Sequence, residues 1–530
     1  MKIPVLLALL LVRVALAQAV PAGSRLEQSL ELLSESNDPL SEQVLIDIQG
    51  PKGPSEQVRA FWDGGRTWRF RLAPAATGVY RWRAVRQDVK PVSGDLRATR
   101  AQIEALQPSL SPDRRYLVQR GKPWFFLSDT AWNGALLSTN EEWRDYVADR
   151  KAKRFTAVQF VMTQWRAGRQ DETGAVAFSG ANPVRVNPAF FARMDRKFDV
   201  LNDAGLVAVP VMLWALTSKD NESPGVALSS EDAIRLARYM ADRYHAHAAI
   251  WMLGGDGDYS GENVARWKAI GSGVFGKGPN RQPVGMHPRG MRAPWEPYKD
   301  EPWLDVLFYQ SGHGGSAAKW KWNATAGPAV DWRLTPRRPV IDAEPNYEAH
   351  LGYDGKKIDD YDVRRAAYYS LLAGPPAGVS YGAHGIWFWS RKAEVPLDHP
   401  KTGVAEPWRV CLNYEGAEHM KVLRNLFDTF DWWRLRPDRS ILAEDKFDEE
   451  SFRDYSMAAV SDRRDFALLY LPVPGRVAVN ASALKGSRSE ARWLNPRTGE
   501  QTRAGTFAAG AAFSLETPSE GDWLLLVRAR

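Results

Sequence analysis

The sequence predicts a central (β/α)8 barrel of the TIM type, with a small β-sandwich domain on either side of it. Between residues 110 and 435, short apolar runs alternate with longer segments of helical periodicity, the pattern of repeated βα units. Before and after this region the pattern changes to short alternating runs separated by Gly and Pro, which is typical of antiparallel strands. A chain of 530 residues also exceeds what one hydrophobic core usually organises.

The N-terminus has the pattern of a secretory signal peptide. Lys2 precedes an apolar run that ends in an A-x-A tripeptide at Ala17, and Arg13 interrupts that run. We therefore expect residues 1–17 to be a signal peptide and the protein to be exported to the periplasm or outside, with a short membrane anchor or an unprocessed tail as alternatives. No later stretch approaches the roughly 18 apolar residues of a spanning helix, so no membrane span is expected.

The composition is that of a folded protein without a strong charge bias. Hydrophobic residues make up 44% and charged residues 25%, and the net charge of +7 is scattered along the chain, so no nucleic-acid or membrane partner is expected. Cys411 is the one cysteine, which excludes an intrachain disulfide. The 22 tryptophans suit sugar rings as well as hydrophobic cores.

The two flanking domains are predicted from alternating strands. Residues 25–105 contain such runs at 44–48, 66–72 and 79–85, and residues 440–530 contain them at 465–471, 491–494 and 523–527. Each segment is predicted to form an antiparallel β-sandwich. We expect no chemistry from the N-terminal one.

The barrel itself is predicted strand by strand. The eight strands are expected at residues 124–128, 157–162, 207–213, 250–254, 283–286, 306–309, 339–342 and 385–389. Helices are expected at residues 141–153, 188–204, 231–244, 363–373 and 417–429. A doubly wound open sheet is the alternative arrangement.

Polar and aromatic side chains follow the ends of these strands, where the βα loops of a TIM barrel form the active-site face. We expect these residues to bind the substrate: Asp129, Trp132, Gln164, Trp214, His287, Arg289, Gln310, His313, Tyr347 and Trp387. Trp165 and Trp389 are further candidates for stacking on sugar rings, although about half of such tryptophans belong to the core. For Asp129, capping of the following helix is an equal alternative.

A carboxylate pair is the central catalytic hypothesis. Asp256 follows strand four and Glu344 follows strand seven, on opposite sides of the barrel mouth. Glycoside cleavage needs one carboxylic acid and one carboxylate on opposite sides of the sugar, which fits Asp256 as general acid/base and Glu344 as nucleophile. A helix cap or ion pair for Glu344, and a turn position for Asp256 with Asp258 as its competitor, remain alternatives.

No cofactor or metal site is expected. His287 and His313 could ligate a metal ion, but the eight histidines show no H-x-x-x-H or clustered spacing. Binding hydroxyls or holding a carboxylate is the preferred interpretation for both. No G-x-S-x-G elbow, Walker loop or dinucleotide fingerprint stands in a strand-turn-helix context.

Five motifs, in their order and spacing, resemble those of the apiosidase-like glycoside hydrolases, family 140 and its relatives. They are FLSDTAW at 126–132, WMLGGD at 251–256, HPRG at 287–290, QSGH at 310–313 and DAEP at 342–345. The resemblance covers essentially the whole barrel. It implies a TIM barrel, an aspartate acid/base at Asp256 and a glutamate nucleophile at Glu344.

The flanking segments share in this resemblance. The N-terminal segment is similar to the small β domain that often precedes such barrels, and the tail resembles a "putative collagen-binding domain". The tail shows no collagen-specific feature, so we interpret it as a structural or carbohydrate-contacting module. The sequence departs from the family pattern at residues 257–259 (GDY), where a basic residue or Asn commonly follows, and this leaves the substrate open.

Together these observations predict an exported exo-acting glycosidase that removes a terminal sugar from a polysaccharide side chain with retention. Apiose is the sugar that the family suggests, although fold-level analogy does not transmit substrate choice. A non-catalytic glycan- or collagen-binding surface protein is the alternative from another class, and a metal-dependent hydrolase is a third. The acid pair distinguishes a glycosidase from a binding protein, because a binding protein does not need both carboxylates.

Overall fold

The computed structural model describes residues 18–20, 25–74, 76–98, 106–216, 222–276, 282–444, 454–508 and 510–530. The chain divides into two compact units, Met1–Ala105 and Leu106–Arg530. The predicted signal peptide at residues 1–17 lies outside the described residues. None of the helices in these ranges is long and apolar enough to cross a membrane.

The described residues of the first unit form one curled sheet of eight strands, where a sandwich of two sheets is predicted from the sequence. Its strands are Gln18–Val20, Leu26–Leu32, Val44–Gln49, Glu56–Trp62, Thr67–Leu72, Gly78–Ala84, Val89–Lys90 and Ser93–Ala98, with one 3-10 turn at Pro39–Ser41. The strand Glu56–Trp62 pairs along one side with Val44–Gln49 and at its end with Thr67–Leu72. The sheet therefore folds over on itself and encloses a core that includes Leu30, Ile46 and Trp68.

The second unit contains a closed barrel of eight parallel strands. They are Phe126–Thr130, Ala157–Val161, Val207–Trp214, Trp251–Gly255, Val284–Met286, Val306–Tyr309, Val340–Asp342 and Gly378–Ala383. Each strand pairs with the next, and the eighth pairs with the first over the register Phe126↔Gly378 to Thr130↔Gly382. This closure confirms the predicted TIM barrel and excludes the open sheet.

The eighth strand was placed wrongly by the sequence pattern. Residues 385–389, predicted as a strand, lie in the short helix His384–Phe388 and its left-handed terminal residue Trp389. The true strand, Gly378–Ala383, begins at a glycine because a Cβ there would lie 2.2 Å from the carbonyl oxygen of Phe126. The close approach of strand one thus requires a residue that weakens the sequence signal for a strand.

The remaining elements of the barrel region surround these strands. The longer helices are Asn140–Ala152, Pro188–Asp203, Ser230–Tyr244, Asn263–Phe275, Asp360–Ala373 and Glu415–Phe427. Shorter ones are Gly134–Leu137, Pro224–Ala227, Glu296–Tyr298, Ala317–Lys321, Trp322–Ala326, Gly327–Asp331, Trp408–Cys411 and Trp432–Arg434. Short strands lie at Ser109–Leu110, Leu117–Gln119, Lys122–Trp124, Phe178–Ser179, Arg185–Val186 and Tyr347–Glu348. Capping boxes at Thr139 and Asp359 fix the starts of two of the longer helices.

The C-terminal sheet domain belongs to the same compact unit as the barrel. Its strands are Leu435–Pro437, Met457–Ser461, Phe466–Leu471, Arg476–Asn480, Arg488–Leu494, Gln501–Ala508, Ala512–Glu516 and Trp523–Ala529, with a 3-10 turn at Ala481–Ala483. The barrel helix Asp360–Ala373 packs against this domain. Arg364 binds both oxygens of the buried Asp522 carboxylate at 2.8 and 2.9 Å, and Tyr368 stacks on Tyr470 at 5.0 Å. These contacts fix the domain to the barrel.

Candidate active site

A cavity of about 440 Å³ lies at the C-terminal ends of the barrel strands. Loops after all eight strands contribute to it. The lining residues are Trp132, Trp165, Trp214, Leu216, Asp256, Arg289, Gly290, Gln310, His313, Glu344, Tyr347, His350, Tyr353, Trp387, Asp398, His399, Pro400, Lys401 and Thr402. Its size falls within the range of small-molecule pockets. Both predicted carboxylates, Asp256 and Glu344, face this one space.

Glu344 is positioned by strand seven and held by two histidines. Its side chain is nearly buried, at 7% exposed. One carboxylate oxygen lies 3.1 Å from Nε2 of His313, and the other lies 3.2 Å from Nε2 of His287. Asp342 accepts the backbone N–H groups of Ser311 and Glu344, which fixes the turn that carries the glutamate. Both oxygens of Glu344 therefore face imidazole nitrogens.

The hydrogen bonding of His287 sets the position of its proton. Its Nδ1 accepts the backbone N–H of Asp256 at 3.2 Å, so Nδ1 carries no proton. The proton then sits on Nε2, which faces Glu344. His287 is fully buried and is not among the cavity-lining residues. It therefore links the two strands that carry the carboxylates, with its Nε2 atom 3.2 Å from Glu344.

The two histidines control the charge of Glu344. Burial by itself raises the pKa of this carboxyl group, but the interactions with His287 and His313 outweigh burial and lower the pKa to about 2. Glu344 is consequently an anion throughout the neutral range. A buried carboxylate that stays ionised has the charge that a nucleophile requires.

Asp256 has the opposite environment. It follows strand four between two glycines and adopts a left-handed backbone conformation, with φ at 49°. Burial and the negative charge of Glu344 raise the pKa of Asp256 well above its usual value, and Arg289 and Arg166 only partly oppose this. Asp256 therefore tends to hold a proton, as a general acid must.

Tryptophans form the inner wall of the cavity. The ring of Trp214 lies 5.4 Å from that of Trp132 and 4.3 Å from that of Trp165. These three rings are almost fully buried by one another and by the surrounding loops. Trp387 lines the cavity beside His399, at 5.1 Å between ring centres, whereas Trp389 stacks on Trp408 outside it. The predicted aromatic residues thus divide into wall and core.

Several buried polar atoms of the wall lack partners among the described residues. They are Nε1 of Trp214, Oε1 of Gln310, Nδ1 of His313 and Nε1 of Trp387. Because buried polar groups are normally hydrogen-bonded, a mixture of unpaired donors and acceptors indicates a polar ligand. Tyr347 completes this part of the wall, with its ring 4.5 Å from that of His313. Sugar hydroxyls both donate and accept hydrogen bonds, so they suit this set.

Besides His287, two predicted substrate contacts do not line the cavity. Asp129 is fully buried, with its Oδ2 atom 2.7 Å from Nε of Arg150 and 2.8 Å from the hydroxyl of Tyr146. Asp129 therefore neither lines the cavity nor caps the following helix. Gln164 uses its amide to hold the backbone of Ala177 and Phe178. Both side chains stabilise the loops and strands behind the cavity wall.

Sequence reasoning missed part of the wall. His350 and Tyr353 come from the loop after strand seven, and residues 398–402 come from the loop after strand eight. The backbone N–H of Leu351 donates to the carbonyl of Thr402, which joins these two loops. The loop after strand eight could not be predicted because the strand itself was predicted at the wrong residues. For the loop after strand seven, the one signal in the sequence was a tyrosine followed by the turn-forming pair Asp-Gly.

One group of possible metal ligands occurs within the described residues, and it lies outside the cavity. It consists of Asp360, Glu415 and His419. Arg364 donates to Nδ1 of His419 at 2.9 Å and pairs with Asp360 at 2.8 Å. A guanidinium group thus already supplies positive charge to this cluster.

A closed parallel barrel with two unlike carboxylates in a tryptophan-walled cavity defines the class of glycoside hydrolases. Residues 111–434 match the family model "Apiosidase-like, catalytic domain". The chain belongs to this family, and it is a glycosidase. Residues 436–528 match the "Putative collagen-binding domain of a collagenase", and residues 24–87 match a domain of unknown function, DUF5060.

Solved structures that share this fold include glycoside hydrolases. One, named "Glycoside hydrolase", is 23% identical and covers 80% of this chain and 97% of its own, with a TM-score of 0.69. A family 5 glycoside hydrolase from Bacteroides vulgatus is 24% identical over 80% and 93% of the two chains, with a TM-score of 0.69. A "putative glycoside hydrolase" from Bacteroides vulgatus is 17% identical over 96% and 99%, with a TM-score of 0.71. The search of curated proteins found no match.

Proposed function

We propose that this glycosidase is exported and removes a single terminal sugar from a polysaccharide side chain, with retention of configuration. The observation that carries the proposal is the unequal state of the two cavity carboxylates. Glu344 is held as an anion by His287 and His313, while burial and the charge of Glu344 favour a protonated Asp256. One nucleophile and one proton donor are the two groups that the retaining reaction needs.

Each step of the proposed reaction uses these two groups. Asp256 gives its proton to the glycosidic oxygen while Glu344 attacks the anomeric carbon, so the bond to the leaving group breaks and an ester to Glu344 forms. The ionised Asp256 then takes a proton from a water molecule, which attacks the same carbon. Free sugar leaves, Glu344 returns to its carboxylate form and Asp256 is protonated again.

The size of the cavity supports cleavage at a chain end. Residues 398–402 and the loop that carries Tyr353 contribute to its lining, and the volume of about 440 Å³ suits one or two sugar rings. An open groove across the barrel face would suit internal cleavage instead. Apiose is included as a candidate sugar because of the family to which the chain belongs, and the cavity chemistry favours a neutral polyhydroxylated ring.

Sugar release tests the proposal. Wild type and Glu344→Gln are incubated with pectic, hemicellulosic and bacterial glycans, and released monosaccharides are identified chromatographically. We expect release of one sugar by the wild type and a loss of about 10⁴-fold or more in kcat for Glu344→Gln. Glu296→Gln, at an exposed surface pair with Lys299, is the matched control and should retain full activity.

Two outcomes would contradict the proposal. Equal release by wild type and Glu344→Gln would remove Glu344 from the mechanism. An inverted anomer in the first product, seen by NMR, would make Glu344 a base that activates water instead of a nucleophile.

Export is tested separately by N-terminal sequencing of the secreted protein, for which we expect a start at Gln18.

A further inference from the structure

Tyr353 is an unusually exposed aromatic residue at the catalytic cavity. Its side chain is 81% exposed, and it is the aromatic member of an otherwise aliphatic set of exposed large hydrophobic side chains among the described residues. It also lines the cavity together with Asp256 and Glu344. Tyrosine is enriched at binding interfaces because its ring is apolar and its hydroxyl group is polar, and here the ring also lines the cavity.

The backbone beneath Tyr353 is firmly anchored. The N–H of Tyr353 donates to the carbonyl of His313 at 3.3 Å, and Asp354 accepts the N–H of Gly315 at 3.2 Å. The turn is closed by a hydrogen bond from Gly352 to Lys356 at 2.8 Å. The loop tip is thus attached to the same segment that carries His313, the histidine on Glu344. The backbone that carries the ring is therefore held in place relative to the reacting carboxylate.

Aromatic side chains of the cavity are of two kinds, buried tryptophans at the inner wall and one exposed tyrosine. Trp132, Trp165 and Trp214 are nearly buried at its inner wall, which under the proposed function is the place of the sugar that is released. Tyr353 stands at the opening. When a terminal sugar enters first, the part of the substrate that remains at the opening is the leaving group. The exposed ring therefore meets the residue beyond the bond that is cut.

We propose that Tyr353 is the platform on which the leaving-group sugar stacks. This inference rests on the proposed function and adds the subsite for the departing part of the glycan. The flat, apolar face of a tyrosine matches the C–H face of a pyranose or furanose ring, and its short, stiff side chain loses little entropy on binding. The platform then gives a preference for substrates whose leaving group is itself a ring.

The test compares two substrates that carry the same released sugar. One has a saccharide as leaving group and the other has a methyl group, and kcat/KM is measured for wild type, Tyr353→Ala and Tyr353→Phe. For Tyr353→Ala we expect a loss of about ten-fold on the saccharide substrate and less than about two-fold on the methyl glycoside. Tyr353→Phe keeps the ring and should stay within about two-fold of wild type on both.

The matched control is Val404→Ala, which removes another exposed apolar side chain, at 59% exposed, from a residue that does not line the cavity. It should leave both substrates unaffected. An equal loss on both substrates for Tyr353→Ala, or no loss on either, would overturn the platform while the wild type still releases sugar. A wild type that releases no sugar from any glycan would instead overturn the proposed function and the platform with it.

Discussion

The ends of barrel strands four and seven hold the same kind of side chain in opposite states. At the end of strand seven, Glu344 has an imidazole nitrogen near each oxygen, and its pKa falls to about 2. At the end of strand four, Asp256 lies between two glycines and has a left-handed backbone conformation. Burial and the charge of Glu344 raise its pKa. The pKa values of the two carboxyl groups differ because their partners differ, and not because of burial alone.

His287 connects the ends of strands four and seven. It accepts a backbone hydrogen bond at Asp256, and its Nε2 atom lies 3.2 Å from a carboxylate oxygen of Glu344. The same imidazole thus orients the strand that carries the acid and stabilises the anion of the nucleophile. Because Glu344 is kept ionised, its charge in turn helps to keep Asp256 protonated. The difference between the two ends is therefore maintained cooperatively.

After Glu344→Gln, the largest effect that sharpens this comparison is expected from Asp256→Asn. The amide cannot give a proton to the leaving oxygen, so we expect kcat/KM to fall by about 10²- to 10⁴-fold on natural glycosides. An aryl glycoside with an acidic phenol needs no such proton for the first step, so a much smaller loss in the rate of its bond cleavage is expected. Steady-state kinetics with both substrates measure this.

Pre-steady-state kinetics separate the two steps of Asp256→Asn. With the aryl glycoside, a burst of phenol followed by slow turnover is expected, because water attack on the sugar ester still lacks its base. An equal loss on both substrates from the first turnover would show that Asp256 does not protonate the leaving group. Asp258→Asn tests the neighbouring acid, whose carboxylate pairs with Arg289 at the surface.

A third acid, at the end of strand one, is buried but does not line the cavity, so it tests what burial contributes apart from catalysis. Asp129 is fully buried and Glu344 is nearly so, but the partner of Asp129 is the guanidinium of Arg150, which is itself fully buried. We expect Asp129→Ala to lower the free energy of unfolding by about 3 kcal/mol, because the buried Arg150 loses the carboxylate at its Nε and is left with Asp149, 3.2 Å from its Nη1. Chemical denaturation measures this change, while the activity of the protein that remains folded should change little.

The surface pair of Asp145 and Arg409 supplies the control for this experiment. Both side chains are about half exposed, so Asp145→Ala should cost no more than about 1 kcal/mol. If Asp129→Ala unfolded no more easily than Asp145→Ala, the buried pair would not be the stabilising element that its geometry indicates. A loss of turnover without a loss of stability would instead restore the substrate contact expected from the sequence.

Much of the fold could be predicted from the sequence because parallel buried strands are continuous apolar runs. Val207–Trp214 and Val306–Tyr309 are of this kind, and both lie where the pattern predicts. The eighth strand was lost because Gly378–Ala383 carries glycines that close packing demands, while the tryptophan-rich helix after it looks more like a strand. The N-terminal sandwich is a curled single sheet because one strand pairs in both halves, which no local pattern reveals.

The candidate site was predictable where it depends on strand ends, and not where it depends on long loops. The rule that places chemistry after barrel strands brought Asp256, Glu344, His313 and Trp214 into one cavity. The same rule could not tell that Asp129 pairs with Arg150 on a helix, because that pairing is fixed by tertiary packing. Residues 398–402 come from far along a loop, and only the folded chain brings them to the wall.

The smallest effect, a shift in pH dependence, tests the cause of the difference between the two carboxyl groups. His313 lowers the pKa of Glu344, so His313→Ala should raise it. A hydrogen bond to a charged group contributes about 1.5–3 kcal/mol, which corresponds to about one to two pKa units. Catalysis needs the ionised glutamate, and activity is lost as the pH falls through its pKa. The acidic limb of kcat/KM should therefore move to higher pH by that amount.

His313→Gln places an amide N–H near the position of Nε2 and should move the acidic limb back towards that of the wild type. This rescue distinguishes a lost hydrogen bond from a general disturbance of the loop, which both variants would share. If the limb stays in place in His313→Ala while kcat falls, His313 acts on the substrate through its unpaired Nδ1 atom. The low pKa of Glu344 would then depend on His287 alone, and the two histidines, although both lie against the same carboxylate, would have separate tasks.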